Sequence, residues 1–307
     1  MLECTLFLKN PYPFITKIAP TKHHIINQYE MKTKTVLSAL LIILLTNISC
    51  NQNFNKIKQK AEEGDATAQY ELAVKYYMGE GTKVDEEQAF KWMEKSAEQG
   101  DAEAQRELSH FYFNGEGTVA DSIKAIHWMK ISAEQGDNSS QFNLALMYKK
   151  GEGTKQDSEE AFNYFKKSAE QGHAKAQFNL SFMYLDGEGT TENKEESFYW
   201  MKKCAEQEIK EAQYLIGSKY QNGEGVAVDK NMAFEWYEKA AKQGEKEAQY
   251  TLGLLYNNGD IVVEDKEKAF YWFMKSAEEG HGEAQFEVSH MYRIGVGVKM
   301  DKEQAFY

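Results

Sequence analysis

Catalysis and metal binding need reactive side chains at fixed spacings, and this chain offers few. No Gly-x-Ser-x-Gly, His-Glu-x-x-His, Cys-x-x-Cys, Ser-x-x-Lys or P-loop lysine pattern occurs. The cysteines are Cys4, Cys50 and Cys204, and only Cys204 lies inside the repeats, so no disulfide framework is available. His110 and His290 stand five repeats apart, beyond the reach of a shared metal, and His127 and His173 stand alone on positions read as solvated surface. Cys204 takes the place of a serine in a packed position, so it reads as a small buried residue rather than a nucleophile. No catalytic residue, metal site or cofactor site is expected. The best recognition chemistry is a set of amides, ammonium groups and apolar side chains: Asn143, Leu146, Lys150, Lys175, Asn179 and Phe182. Lysines and asparagine amides of this kind can hold a carboxylate or a peptide backbone, and Leu146 and Phe182 can anchor its side chains. Lys150 and Lys175 also have the option of pairing with Asp186 or Glu170 as ordinary surface ion pairs.

A repeat positions those residues. The pairs Ala68-Gln69, Ala104-Gln105, Ala176-Gln177, Ala212-Gln213, Ala248-Gln249 and Ala284-Gln285, with Ser140-Gln141 in the remaining slot, recur every 36 residues. A gap-free period of this length marks units that bury their apolar faces only by stacking. Within one unit, Asp101 caps a first helix, helix A, whose Ala104, Leu108 and Tyr112 form one stripe at i, i+4 and i+8. Gly115-Glu116-Gly117-Thr118 is the turn, and its glycines suit positive φ. The repetition of this turn at each A–B corner makes it turn geometry rather than a phosphate cradle. Asp121 then caps helix B, which carries Ala125, Ile126, Trp128, Met129 and Ala133 and ends at Gly136. Trp92, Trp128, Trp200, Trp236 and Trp272, with Tyr164 in the remaining place, are expected to fill the space between helix pairs.

The positions that vary between units form a second stripe on helix A. It runs Glu103, Glu107, His110, Asn114 in one unit and Ser139, Asn143, Leu146, Lys150 in the next. The spacing i, i+4, i+7, i+11 keeps it on one continuous face. A fixed framework with varied residues on one face suits a binding groove, and the six residues named above lie on that face in the middle units.

Of 307 residues, 36 are Lys or Arg and 48 are Asp or Glu, for a net charge of −12. The first fifty residues hold five lysines and two acids, which leaves 31 bases, 46 acids and a charge of −15 over the rest. That balance argues against nucleic acid as a partner. Residues 1–30 match nothing that follows and read as an upstream extension. Met31 opens a different pattern: Lys32 and Lys34, an apolar run from Val36 to Leu45, then Thr46-Asn47-Ile48-Ser49-Cys50. The run is too short to span a bilayer and fits the core of an export signal. A small residue before cysteine at its end resembles a bacterial lipoprotein signal, which implies lipidation at Cys50 and a membrane anchor; a plain cleaved signal is the alternative. Residues 51–55 read as a linker and 56–307 as the repeat array, opened by half a repeat around Phe54, Ile57 and Ala61.

Ala-x-Ala-Gln-x-x-Leu, Tyr, Gly-x-Gly, Asp, Lys-Ala-Phe-x-Trp and Lys-Ser-Ala-Glu-Gln-Gly on this period resemble the Sel-one-like repeat (SLR) family, a relative of tetratricopeptide repeats. The resemblance covers about residues 54–307. It implies an all-α fold, a right-handed α-solenoid of about seven helix-turn-helix repeats, and an adaptor that gathers other proteins rather than an enzyme. Cysteine-rich relatives proposed to act on β-lactams carry paired cysteines in each unit, which this chain lacks. A protein or peptide partner on the concave helix A face at the cell envelope is therefore the expected function; an envelope hydrolase and a purely structural spacer are the alternatives. Three departures stand out. Glu208 takes the place of a glycine expected at positive φ, Ile261 replaces a turn glycine and so predicts a different loop path, and Phe306-Tyr307 stop inside the seventh helix B, which reads as a truncated or partner-capped end.

Overall fold

The computed structural model describes residues 52–306, and the expectations about residues 1–50 and Cys50 lie outside the described residues. Helix α1 covers residues 52–62 and takes in residues 52–55, which the sequence pattern had assigned to a linker. It forms because Phe54, Ile57 and Ala61 bury one stripe against the first full repeat. Seven A helices follow: α2 (Ala66–Met78), α4 (Ala102–Asn114), α6 (Asn138–Lys150), α8 (Ala174–Asp186), α10 (Lys210–Asn222), α12 (Lys246–Asn258) and α14 (Gly282–Ile294). Six B helices alternate with them: α3 (Glu86–Glu98), α5 (Ser122–Glu134), α7 (Ser158–Glu170), α9 (Lys194–Ala205), α11 (Lys230–Lys242) and α13 (Lys266–Glu278). A short 3-10 turn, Gln304–Phe306, packs on α14. The described residues contain no strand, and each helix packs mainly on its neighbours in sequence, as an α-solenoid requires.

The core is a column of repeated contacts. Leu72, Leu108, Leu144, Leu180, Ile216 and Leu252 are fully buried at one place in successive A helices. Truncating such a residue to alanine costs about 2–5 kcal/mol. The recurring tyrosine packs edge-to-face on an aromatic of the preceding B helix: Phe90 with Tyr112, Phe162 with Tyr184, Phe198 with Tyr220 and Phe270 with Tyr292, at centroid distances of 5.1–5.2 Å. Phe54 of α1 meets Tyr76 in the same way, so α1 serves as the missing B helix of a preceding unit. Helices A and B of one unit interlock by size. Gly217 sits under Tyr237 and Gly253 under Phe273, with no room for a Cβ at either glycine.

Polar groups repeat as strictly. The glutamine of each unit donates to a carbonyl eight residues earlier, and in the first five units it also accepts from a glutamine thirty residues later. Gln105 Nε2 reaches Ala97 O at 3.1 Å, and Gln135 Nε2 reaches Gln105 Oε1 at 3.0 Å. This ladder runs from Gln69 to Gln243 and stops there. Glu279 holds the next place, and an ionised carboxylate cannot donate, so Gln249 Oε1 is buried without a partner. The turns also tie units together. Gly117, at φ 61°, lies so close to Glu86 O that a Cβ there would overlap it. Glu208 is the single non-glycine residue at positive φ among the described residues, at 64°. Ile261 is not at positive φ, so its loop does take a different backbone path from the glycine turns.

Candidate partner-binding face

The A helices expose one face along the whole array because their buried stripe faces the B helices. On that face the place held by Val74, His110, Leu146, Phe182, Ser218, Leu254 and His290 is half-buried in every unit. The flanking place held by Met78, Asn114, Lys150, Asp186, Asn222, Asn258 and Ile294 is exposed in every unit. Depressions lie between successive A helices. One of about 370 Å³ between α2 and α4 has Val74, Met78, His110 and Phe111 in its lining. A neighbouring one of about 140 Å³ between α4 and α6 shares His110 and adds Phe113, Leu146 and Met147.

The sequence-derived set divides between these depressions. Asn143, Leu146 and Lys150 line the cavity between α4 and α6. Phe182 lines a different, smaller one between α8 and α10. Lys175 is exposed, and the Asn179 amide donates to Lys175 O at 2.7 Å within its own helix. Lys150 forms an ion pair with Glu152 at 3.4 Å, with neither Asp186 nor Glu170 as its partner.

A second column on these helices escaped the sequence reading: Tyr70, Phe142, Phe178, Tyr214 and Tyr250, all half-buried, with Arg106 in one slot and the exposed Phe286 in the last. The signal was present as an aromatic two residues after the Ala-Gln alanine. His173 is half-buried against this column, which corrects its reading as solvated surface. It occupies the cap place of Asp101, accepts the Ala176 N–H through Nδ1 at 3.2 Å and stacks on Phe142 at 4.6 Å. Burial, and then the nearby Lys175 charge, holds its pKa below the usual imidazole value. His281 repeats the arrangement on Tyr250; with Nδ1 accepting from Ala284 N, its Nε2–H donates to Glu247 Oε2 at 2.9 Å. Arg106 bridges to Asp137 of the next unit at 3.2 Å.

Burial pushes the Cys204 thiol up to about 11, so it is a neutral packing group at physiological pH. Among the described residues no three His, Cys, Asp or Glu side chains gather as a metal site, and no helix is long and apolar enough to cross a membrane. The face presents shallow, half-apolar depressions with charged rims, which suit the side chains of an extended or helical partner.

No curated protein matches the chain. Among solved structures it is similar to a Sel1 repeat protein from Oxalobacter formigenes, at 33% identity and a TM-score of 0.69 over 84% of this chain and 75% of that one. It is also similar to a protective antigen of uropathogenic Escherichia coli strains that displays an SLR fold, at 31% identity and a TM-score of 0.72 over 83% of this chain. The match spans 62% of that antigen's length. The Sel1 repeat profile matches seven consecutive segments, residues 66–101, 102–137, 138–173, 174–208, 210–245, 246–281 and 282–307, and the chain belongs to the Sel1-repeat family.

Proposed function

We propose that this protein is an interaction scaffold of the cell envelope that takes a partner protein or peptide along its A-helix face. The observation that carries the reading is the run of depressions between α2, α4 and α6, floored by side chains that vary from unit to unit on an unvarying framework. Sel1-repeat proteins generally mediate protein–protein contacts, which supports the partner class. The envelope placement draws on the lipoprotein-like stretch ending at Cys50 and on the likeness to a protein described as a protective antigen. Asn143, Leu146 and Lys150 form the central contact; Lys175 and Asn179 sit beside it on the next A helix, and Phe182 lies one cavity further along.

The test is a cross-linking pull-down from native envelopes with the full chain. Leu146→Glu, and separately Lys150→Glu with Lys175→Glu, should reduce capture of the cross-linked partner about tenfold or more. The exposed lysine pair should leave the melting temperature within the range of surface substitutions, whereas Leu146, which packs on the core, is scored on folded protein only. Undiminished capture by both variants removes the partner from this face. Labelling with a fatty-acid probe that persists in Cys50→Ala overturns the lipid anchor separately.

A further inference from the structure

Lys219 is out of place. Its position in the unit holds Phe111, Met147, Met183, Leu255 and Met291 in five of the other six units, all buried, and Lys75 in the first. Lys219 is buried too, 5% exposed, and its ammonium stays in the fold interior. Its Nζ donates to Ser197 Oγ at 3.2 Å. Ser197 is itself a departure, since the same place holds Ala89, Ala125, Ala161, Ala233 and Ala269 in the other B helices. Two facing positions have therefore turned polar together at a single junction, against a desolvation cost that a packed methionine avoids.

The charge is not well compensated. Lys75 occupies the same place in the first unit and closes on Glu80 at 3.4 Å with a hydrogen bond. Lys219 turns inward to Ser197 instead, and its Glu224 partner stops at 3.9 Å with half its side chain in solvent. The space beside it is a cavity of about 80 Å³ between α8 and α10, with Phe182, Leu185, Leu215 and Ser218 in its walls. A buried cation, a neutral hydroxyl and apolar walls match a carboxylate on a short apolar stem.

We propose that this cavity is an anion site that takes a carboxylate carried on an apolar stem, with Lys219 as its charge partner and Phe182, Leu185 and Leu215 around the stem. The proposal deepens the scaffold reading by naming the chemistry of one partner contact, and it rests on that reading. Glu224 stands at the mouth and competes for the same ammonium. Burial lowers the Lys219 pKa below its usual value, with Lys194 acting the same way and Glu224 opposing. A bound carboxylate favours the ammonium form, so binding takes up protons and weakens as pH rises through the Lys219 pKa of the free protein.

Fluorescence polarisation with the full chain tests this with three labelled probes: Ala-Ala-Leu with a free carboxylate, the same peptide as its C-terminal amide, and Ala-Asp-Ala amide. One or both acids should bind, with the neutral amide weaker by about tenfold or more. Preference for the first acid assigns a C-terminal carboxylate, and preference for the second an acidic side chain. Lys219→Met, the residue found at this place in α6, α8 and α14, should keep the fold and abolish the preference. Glu224→Gln should tighten binding. No binding by either acid at millimolar concentration, equal binding of acid and amide, or an unchanged preference in Lys219→Met overturns the proposal. If Lys219→Met captures the cross-linked partner as well as wild type while Leu146→Glu does not, the anion site fails and the scaffold stands. If capture also ignores Leu146→Glu and the lysine pair, the scaffold reading itself fails.

Discussion

The junction between α3 and α4 and the junction between α9 and α10 occupy the same place in the repeat and are built differently. At the first, Gly100 takes φ 94°, Asp101 accepts the Ala104 N–H at 2.8 Å, and Ser96 donates to Ala66 O at 2.8 Å. At the second, Glu208 takes the left-handed conformation, Ile209 gives α10 no side-chain cap, and Cys204 replaces the serine. Helix α9 is one residue shorter than the other B helices. Yet the glutamine ladder continues, with Gln213 on Ala205 O at 3.3 Å, and Ile216 is fully buried. The period survives because apolar stacking and the ladder maintain it; caps and glycines adjust stability locally.

Breaking the ladder gives the largest effect. Gln105→Leu removes the side-chain donor to Ala97 O, which keeps the Gly100 N–H, and the acceptor of Gln135 Nε2, and should destabilise by about 2 kcal/mol in urea unfolding. Gln249→Leu, whose Oε1 has no partner, should cost visibly less; equal costs would show that the ladder is a bystander to packing.

Repairing the weak junction comes next. Glu208→Gly and Ile209→Asp should each add about 1 kcal/mol, read as slower hydrogen exchange in α10. The reciprocal pair, Gly100→Glu with Asp101→Ile, should weaken α4 by a similar amount. An unchanged exchange pattern in α10 means that the irregular junction is already as stable as its regular counterpart.

The smallest change extends the comparison to the α13–α14 junction. Glu279→Gln should give Gln249 Oε1 its donor and raise stability by about 1 kcal/mol. A neutral result would indicate that Gln249 tolerates an unpaired oxygen at that end of the array.

Much of this architecture was legible in the residues. The 36-residue step, the stripe of Ala104, Leu108 and Tyr112, the caps at Asp101 and Asp121 and the strain at Glu208 all express local rules of helix geometry. The ladder was not legible, because the bond from Gln135 to Gln105 links residues thirty apart, and only superposed helices show which glutamine meets which. Lys219 was missed for a related reason. Two lysines in the column of Phe111 and Met147 make it look amphipathic until the neighbouring helices close over it. The expected recognition set was read from one helix face at a time, so it joined Asn143 to Phe182 across two cavities that the stacking keeps apart.

The turn glycines have a further consequence. Gly117, Gly153, Gly189 and Gly225 each press on the first residues of the preceding B helix, at Glu86, Ser122, Ser158 and Lys194. A single inserted residue would throw this contact and the ladder bonds that cross it out of step, while units on either side keep their own register. Removing residues 102–137 as a block would instead set Gln141 over Ala97 and Gly153 over Glu86, restoring both. The length compatible with these contacts is therefore quantised: it changes by whole repeats, and the reach of the array along a partner changes in the same steps.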